Sequence, residues 1–356
     1  MNRKVLFVAP VVFNRLKQRH QAFATELAQS GFSVDYLEPS LSPGWSLTTT
    51  LISDRLTLLH LKVPFKAASY PALQKISIRL FQAWLCRFRQ LDPHATILWL
   101  ADPSMAALAG ISWQTVIYDR CDLHGAFPGQ RHHAWKTYES FLASRASIIS
   151  VSHPFLARGM PENTLLAPNA CSEEFVARGC QPALNDQGKR VAAAAKIRLV
   201  SSGAHYEWVD CDWLAMLAEL AGAELHIAGS GRGSAFEKLI SKSNVVYHGH
   251  LEPGALQQLL LSCHIGLIPF KNLELINGVD PIKAYEYAAC HLEVWAPDLP
   301  SLHANPMISR FIAGPMQAAA ALQQHRFGPQ VFSGRVPVWG ERLQTILDRM
   351  AVLRSD

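Results

Sequence analysis

The run Asp280-Pro281-Ile282-Lys283-Ala284-Tyr285-Glu286 carries the densest chemistry in the chain. Asp280 is a good N-cap and Pro281 suits a first helical position, so the spacing predicts a helix opening there. Such an end presents free backbone N–H groups and the positive pole of the helix dipole, which favour a phosphate. Lys283 in the first turn is unfavourable for the helix alone, and an anionic ligand explains it. Glu286, three residues on and near the same face, can accept hydrogen bonds from ribose hydroxyls. The plainer alternative is a capped helix with an exposed Lys–Glu pair.

The second candidate is the pair Asp119 and Asp122, following the strand predicted at Thr115–Tyr118. A carboxylate beyond a strand end can act as general base and take the proton of an attacking hydroxyl. The alternative is an Asx-turn or cap before the loop to Phe127.

Other motifs read as scaffolding. Asp210-Cys211-Asp212 precedes an apolar helical pattern, which favours capping over a metal triplet. Ala228-Gly229-Ser230-Gly231-Arg232-Gly233 follows a strand but lacks the third glycine of a dinucleotide fingerprint, so it reads as a turn. His132-His133 and His248-Gly249-His250 have no carboxylate or Cys partner set, and no metal site is expected.

These residues need a frame. Apolar strand-like runs at Lys4–Pro10, Phe32–Leu37, Leu56–Val63, Thr96–Leu100, Thr115–Tyr118, Ser147–Val151 and Thr164–Ala167 alternate with helical patterns. The rhythm restarts with strands at Ile197–Ser202, Glu224–Ala228, Asn244–Tyr247, Ile265–Phe270 and Leu292–Ala296. Alternation of this kind predicts an α/β chain with two doubly wound parallel sheets. The expected division is a domain over 1–175, a linker over 176–192, a domain over 193–335 and a terminal helix over 336–356. Ligands of such sheets collect beyond the carboxyl ends of the strands, so a cleft between the two domains is the expected site.

Composition narrows the class. Of the 356 residues, 49% are hydrophobic and 17% charged, which excludes a disordered chain. No run is long and apolar enough to span a membrane, and the amino-terminal apolar run lacks a small-residue cleavage site. Seven cysteines without a CxxC spacing fit reduced thiols, and so a cytoplasmic setting. Residues 1–180 hold 18 basic against 12 acidic residues, so the first half should meet something anionic. No basic–aromatic nucleic-acid motif accompanies this excess.

Within that half, Pro71–Gln90 has an apolar stripe (Leu73, Ile76, Leu80, Phe81, Trp84, Leu85, Phe88) with Lys75, Arg79 and Arg89 on the other side. The expectation is a helix whose apolar side packs on the first sheet. Its basic edge would face anionic headgroups or a lipid-pyrophosphate acceptor. An ordinary core-packed helix is the alternative.

The 281–287 run, after the Ile268-Pro269-Phe270 strand end, resembles the nucleotide-sugar signature of GT-B glycosyltransferases. The likeness is to enzymes that assemble bacterial exopolysaccharides and cell-wall polymers, and to the teichuronic-acid-type and glucuronosyltransferase-like branches in particular. The blocks Gln18-Arg19-His20-Gln21, Tyr118–Asp122 with Ala126–Gly129, Leu166–Ala170, and Ser202-Gly203-Ala204 are similar to segments of the same family. The resemblance implies two Rossmann-like domains facing each other, the first for the acceptor and the second for the donor. A terminal helix would cross back to the first domain.

The resemblance also implies roles. Lys283 would contact the donor diphosphate and Glu286 the ribose. Asp280, Ile282, Phe270 and the Gly203-Ala204-His205 loop would line the nucleotide pocket, with His250 close to the base. Asp122 would be the base of an inverting transfer, with Asp119 beside it, and Arg19, Lys75 and Arg79 would lie on the acceptor and membrane side. The donor would be a UDP- or GDP-sugar, with no metal and no other cofactor. The acceptor would be a saccharide, on a lipid carrier at the inner face of the cytoplasmic membrane. Gly278 stands where retaining relatives carry a first glutamate, so inversion and retention stay open. A nucleotide-sugar epimerase or a non-catalytic binding subunit would keep the same fold.

Overall fold

The computed structural model describes residues 3–14, 17–39, 44–63, 68–179, 196–220, 222–324 and 335–355. The chain forms two compact units, Met1–Pro168 with Trp339–Asp356, and Asn169–Val338.

In the first unit β1 (Lys4–Val8) leads to α1 (Arg19–Gln29) and β2 (Ser33–Glu38). A hairpin of β3 (Ser46–Ser53) and β4 (Leu56–Lys62) precedes α2 (Pro71–Arg89). Then come β5 (Thr96–Leu100), β6 (Thr115–Arg120), α3 (His132–Arg145), β7 (Ile148–Val151) and the short β8 (Leu165–Leu166). The sheet order is β3-β4-β2-β1-β5-β6-β7-β8. Every pairing is parallel except β3 with β4. The apolar strands β1, β5 and β6 are buried on both faces, as helix-covered parallel strands must be. Phe7 stacks between Tyr36 and Trp99, at 5.5 and 5.4 Å. Phe23 of α1 touches Trp99 at 5.4 Å and Trp339 of the terminal helix (Trp339–Ser355) at 5.5 Å.

The second unit begins with α4 (Glu173–Gly179). It continues through β9 (Ile197–Ser202), α5 (Cys211–Ala218), β10 (Ala223–Ala228), α6 (Ser234–Ile240) and β11 (Val245–Tyr247). Next come α7 (Pro253–Leu261), β12 (Ile265–Leu267), α8 (Ile282–Ala289), β13 (Glu293–Pro297), β14 (Arg310–Ile312) and α9 (Pro315–Gln324). The all-parallel order β11-β10-β9-β12-β13-β14 is that of a dinucleotide-binding fold, with its topological switch between β9 and β12.

The structure differs from the sequence reading at the edge strand β3 and at the end of the first unit. The antiparallel β3 has no strong alternation in Ser46–Ser53 and was not anticipated; it lies at the sheet edge and is largely exposed. The first unit ends at Pro168 rather than 175, because Asn169 and α4 belong to the second unit. There Gln257 donates to the carbonyl of Phe175 at 2.7 Å, and Gly179 lies against the carbonyl of Ala289. The linker expected at 176–192 lies mostly outside the described residues.

Candidate functional site

The first candidate cluster is built at the switch point of the second unit. After β9, Gly203 turns the chain with φ +127°. The neighbouring loop after β10 comes so close that a Cβ on Gly229 would sit 2.0 Å from the carbonyl oxygen of Gly203. Gly229 also has φ +114°, so both sterics and backbone require glycine there. Its N–H donates to the carbonyl of Gly249 at 2.6 Å, which draws in the loop bearing His250. In sequence Gly229 reads as an ordinary turn residue. The Gly-Ser-Gly following a strand was the signal that it shapes the site.

Helix α8 is anchored against this loop by two ties. Tyr287 accepts from the backbone N–H of Ser202 at 2.8 Å, and its ring packs flat where a Cβ on Gly266 would stand. Asp280 accepts from the N–H of Asn169 at 2.6 Å, from Asn305 Nδ2 at 2.6 Å and from the Tyr285 hydroxyl at 3.0 Å. Asp280 is therefore not the helix cap, and its carboxylate oxygens are taken by protein donors, which corrects its assignment as a binding residue. Pro281 occupies the N-cap position with φ −73° and ψ 112°, and Asp280 is committed to buried partners. Its role is to position the amino end of α8.

The residues that remain available are Ile282, Lys283 and Glu286, all half-buried on α8. Lys283 Nζ bonds Glu286 Oε2 at 2.7 Å, and Lys283 Cε lies 3.7 Å from where a Gly203 Cβ would be. The structure thus brings Lys283, Glu286 and the Gly203-Ala204 loop together at the amino end of an eight-residue helix. Phe270 is half-buried just past β12, the strand beside β9. His205 does not line a pocket with its ring. It is buried, bonded to Ser201 Oγ at 2.9 Å, and its N–H ties the β9 loop to Ser230 at 2.7 Å. Burial pushes its imidazole down to about 4. His250 is exposed on the adjoining loop.

In the first unit, β6 delivers two carboxylates to different environments. Asp119 is fully buried and bidentate with Arg19, at 2.9 Å to Nε and 2.7 Å to Nη2. Ser150 Oγ donates to it at 2.6 Å. Despite burial, which works the other way, Arg19 and Ser150 hold its carboxyl below the usual range. Arg19 also donates to the carbonyl of Ala167 at 2.7 Å and stacks over Phe23. Two assignments are corrected accordingly. Asp119 is a structural carboxylate with its oxygens occupied, and Arg19 is a buried brace rather than an acceptor or membrane contact.

Asp122 differs. It stands two residues beyond β6, partly exposed. The Cys121 thiol donates to its Oδ2 at 3.7 Å. Burial by the surrounding chain, reinforced by Asp119 and opposed by Cys121 and Arg19, raises its carboxyl to about 6. Asp122 is thus poised to accept a proton near neutral pH. His20 lies next to the same thiol at 3.7 Å, and His124 stacks on Trp135 at 5.3 Å. Both rings are buried and neutral, lowered chiefly by desolvation to about 4 and about 3. Among the described residues His20 Nδ1, the ring nitrogen that does not face the thiol, has no hydrogen-bond partner. Lys75 and Arg79 are exposed on α2.

Asp210 caps α5 by accepting from the N–H of Trp213 at 2.9 Å. His248 pairs with His226 at 2.9 Å, and among the described residues no cluster of three or more His, Cys, Asp or Glu side chains is placed to hold a metal.

No protein-family model matches the sequence, and neither does any curated protein. Solved structures do match. A sucrose-phosphate synthase from Thermosynechococcus elongatus superposes with TM-score 0.70 at 14% identity, over 99% of both chains. A trehalose-6-phosphate structure from E. coli bound with UDP-2-fluoro glucose gives 0.60 at 12% identity, over 99% of this chain and 96% of the other. A UDP-forming α,α-trehalose-phosphate synthase from Burkholderia vietnamiensis gives 0.58 at 12%, over the same shares. With its eight- and six-stranded sheets in two units, the chain has the two-domain α/β fold of GT-B glycosyltransferases.

Proposed function

We propose that the protein is a glycosyltransferase that moves a sugar from a UDP- or GDP-sugar to a hydroxyl of a saccharide acceptor. The observation that carries this reading is the meeting of Lys283, Glu286 and the Gly203 loop at the amino end of α8, at the sheet's switch point. Free N–H groups and an ammonium there suit a diphosphate, and a carboxylate one turn on suits a ribose. The bound donor analogue of the E. coli structure supports a donor of the same class.

In the inverting form of the reaction, Asp122 takes the acceptor hydroxyl proton. The acceptor oxygen bonds to the anomeric carbon as the bond from that carbon to the phosphate oxygen breaks. The departing nucleoside diphosphate keeps that electron pair, and Lys283 with the α8 N–H groups stabilises its charge. No metal is assigned to this step. A raised Asp122 carboxyl, ionised at neutral pH yet basic enough to work, supports its role.

The acceptor we assign is a lipid-linked saccharide used in exopolysaccharide or cell-wall polymer assembly, reached at the cytoplasmic membrane surface. The basic excess of residues 1–180 supports an anionic acceptor environment. One similar structure is described in terms of glycosyl transfer with retention. A retained anomer in the product would replace the base role of Asp122.

The test is a thermal-shift panel of nucleoside diphosphates and nucleotide-sugars, followed by transfer assays on membrane extracts with NMR of the product anomer. A selective nucleotide-sugar shift with transfer supports the reading. Conversion of the sugar without acceptor would make the protein an epimerase, and binding without any turnover would make it a binding subunit.

A further inference from the structure

Helix α2 buries Phe81 and Leu85 of the predicted apolar stripe but leaves the rest of that stripe outside. Its inner residues include Gln74, Ser77 and Gln82 beside Ile78, Phe81 and Leu85. Gln74 and Gln82 are satisfied by the carbonyls of Ser104 and Leu108, at 3.3 and 3.0 Å. Meanwhile Leu73, Ile76, Leu80 and Phe88 are 52, 56, 59 and 50% exposed. Spaced three, four and eight residues apart, with Trp84 between the last two, they make one continuous stripe on the helix. These four residues do not pack on the first sheet, which corrects the expectation for that part of the stripe, while Phe81 and Leu85 are in the core as expected.

The stripe continues off the helix. Trp84 lies 5.8 Å from Phe88 and 5.9 Å from Trp45, which is 55% exposed just before β3. Lys62 reaches over Gly44, next to Trp45. Lys75, Arg79 and Arg87 are exposed along the flank of the stripe, and α2 contains no acidic residue. Exposed Tyr70 precedes the helix and carries Arg131 over its ring at 4.7 Å.

The geometry points to this face as the seat of an anionic lipid bilayer, with α2 lying in the interface. The apolar residues enter the acyl boundary, the aromatic side chains sit at headgroup depth, and the cations meet anionic headgroups. Charge selects this occupant over a second copy of the chain, which would bring an equally basic rim against this one. The inference deepens the proposed function by naming how a lipid-linked acceptor would be reached. It stands on the surface alone and needs no turnover.

The experiment is flotation of the full-length protein with vesicles of phosphatidylcholine alone and with 30% phosphatidylglycerol. The chain is expected to float with the anionic vesicles and to remain in solution with the neutral ones. Ile76→Glu with Leu80→Glu should abolish flotation. Lys75→Ala with Arg79→Ala should weaken it by about fivefold per charge removed and more steeply as salt rises. Melting temperature and nucleotide shift in the same variants report folding and donor binding, so membrane docking and the transferase reading fail separately. The inference is overturned if wild type does not float with anionic vesicles, or if the double Glu variant, still folded, floats as well. Self-association in solution that Leu80→Glu abolishes, without vesicle binding, would overturn it in favour of an interface between copies.

Discussion

Asp280 accepts the backbone N–H of Asn169 at 2.6 Å, while the Asn169 side-chain amide donates to the carbonyl of Asp280 at 2.6 Å. The pair joins the first residue of the second unit to the turn that opens α8. The amino end of α8 is therefore held from outside the helix.

Asp280→Ala strips acceptors from Asn169, Asn305 and Tyr285 at once. With each stranded buried donor costing about 1–3 kcal/mol, the variant should lose at least about 3 kcal/mol of unfolding free energy. Asp280→Asn should lose less, because one acceptor oxygen remains. Urea denaturation checks the order, and weaker nucleotide binding in whichever variant folds checks the link to α8.

Lys283→Ala should leave stability almost unchanged, since the partly exposed pair with Glu286 contributes about 0–1 kcal/mol. Its effect should appear in binding. Losing a hydrogen bond to a charged group costs about 1.5–3 kcal/mol, or at least about tenfold in Kd for UDP or GDP. Calorimetry with the diphosphate reads this directly. Unchanged affinity would remove Lys283 from the donor site.

Asp122→Asn should bind the nucleotide normally and turn over about 10²–10⁴ times more slowly. The wild-type base works when deprotonated. Its rate should rise with pH through about 6, and the Asn variant should lose that limb. A pH profile of kcat/KM tests both statements.

Buried histidines, among them His226, lowered to about 4 chiefly by burial, predict how stability follows pH. His20, His124 and His205 are neutral in the fold, with values of about 4, 3 and 4 against 6.5. The unfolded chain takes up their protons below 6.5 while the folded chain does not, so acid favours unfolding. Stability should be full above pH 6.5 and fall from there to about 4, by up to about 1.4 kcal/mol per pH unit for each ring. Asp122, raised to about 6, works in the opposite direction over the same range and offsets one ring in part. Replacing His205 by Gln should flatten the slope in a pH series of urea midpoints.

Both sheets were legible because their strands are short, β-branched and flanked by turn residues, as in Ile197–Ser202 before Gly203. Lys283 and Glu286 were legible because a cation in a first helical turn invites explanation. Side-chain pairings across a hundred residues were not. Arg19 beside Gln18 and His20 looks solvent-seeking, yet Asp119 draws it inside. Asp280 looks like a cap until Asn169 and Asn305 claim its oxygens. In α2 the period marks an apolar stripe without saying what lies opposite. Gln74 and Gln82 could turn inward only because carbonyls of the 103–110 turn were there to receive them.

The terminal helix gives the amino-terminal core part of its wall. Trp339 meets Phe23, and Leu343, Ile346 and Met350 are buried behind it. A chimera that exchanges only residues 1–168 would therefore marry that core to a foreign tail. Grafts between relatives should carry the last seventeen or so residues together with the front half.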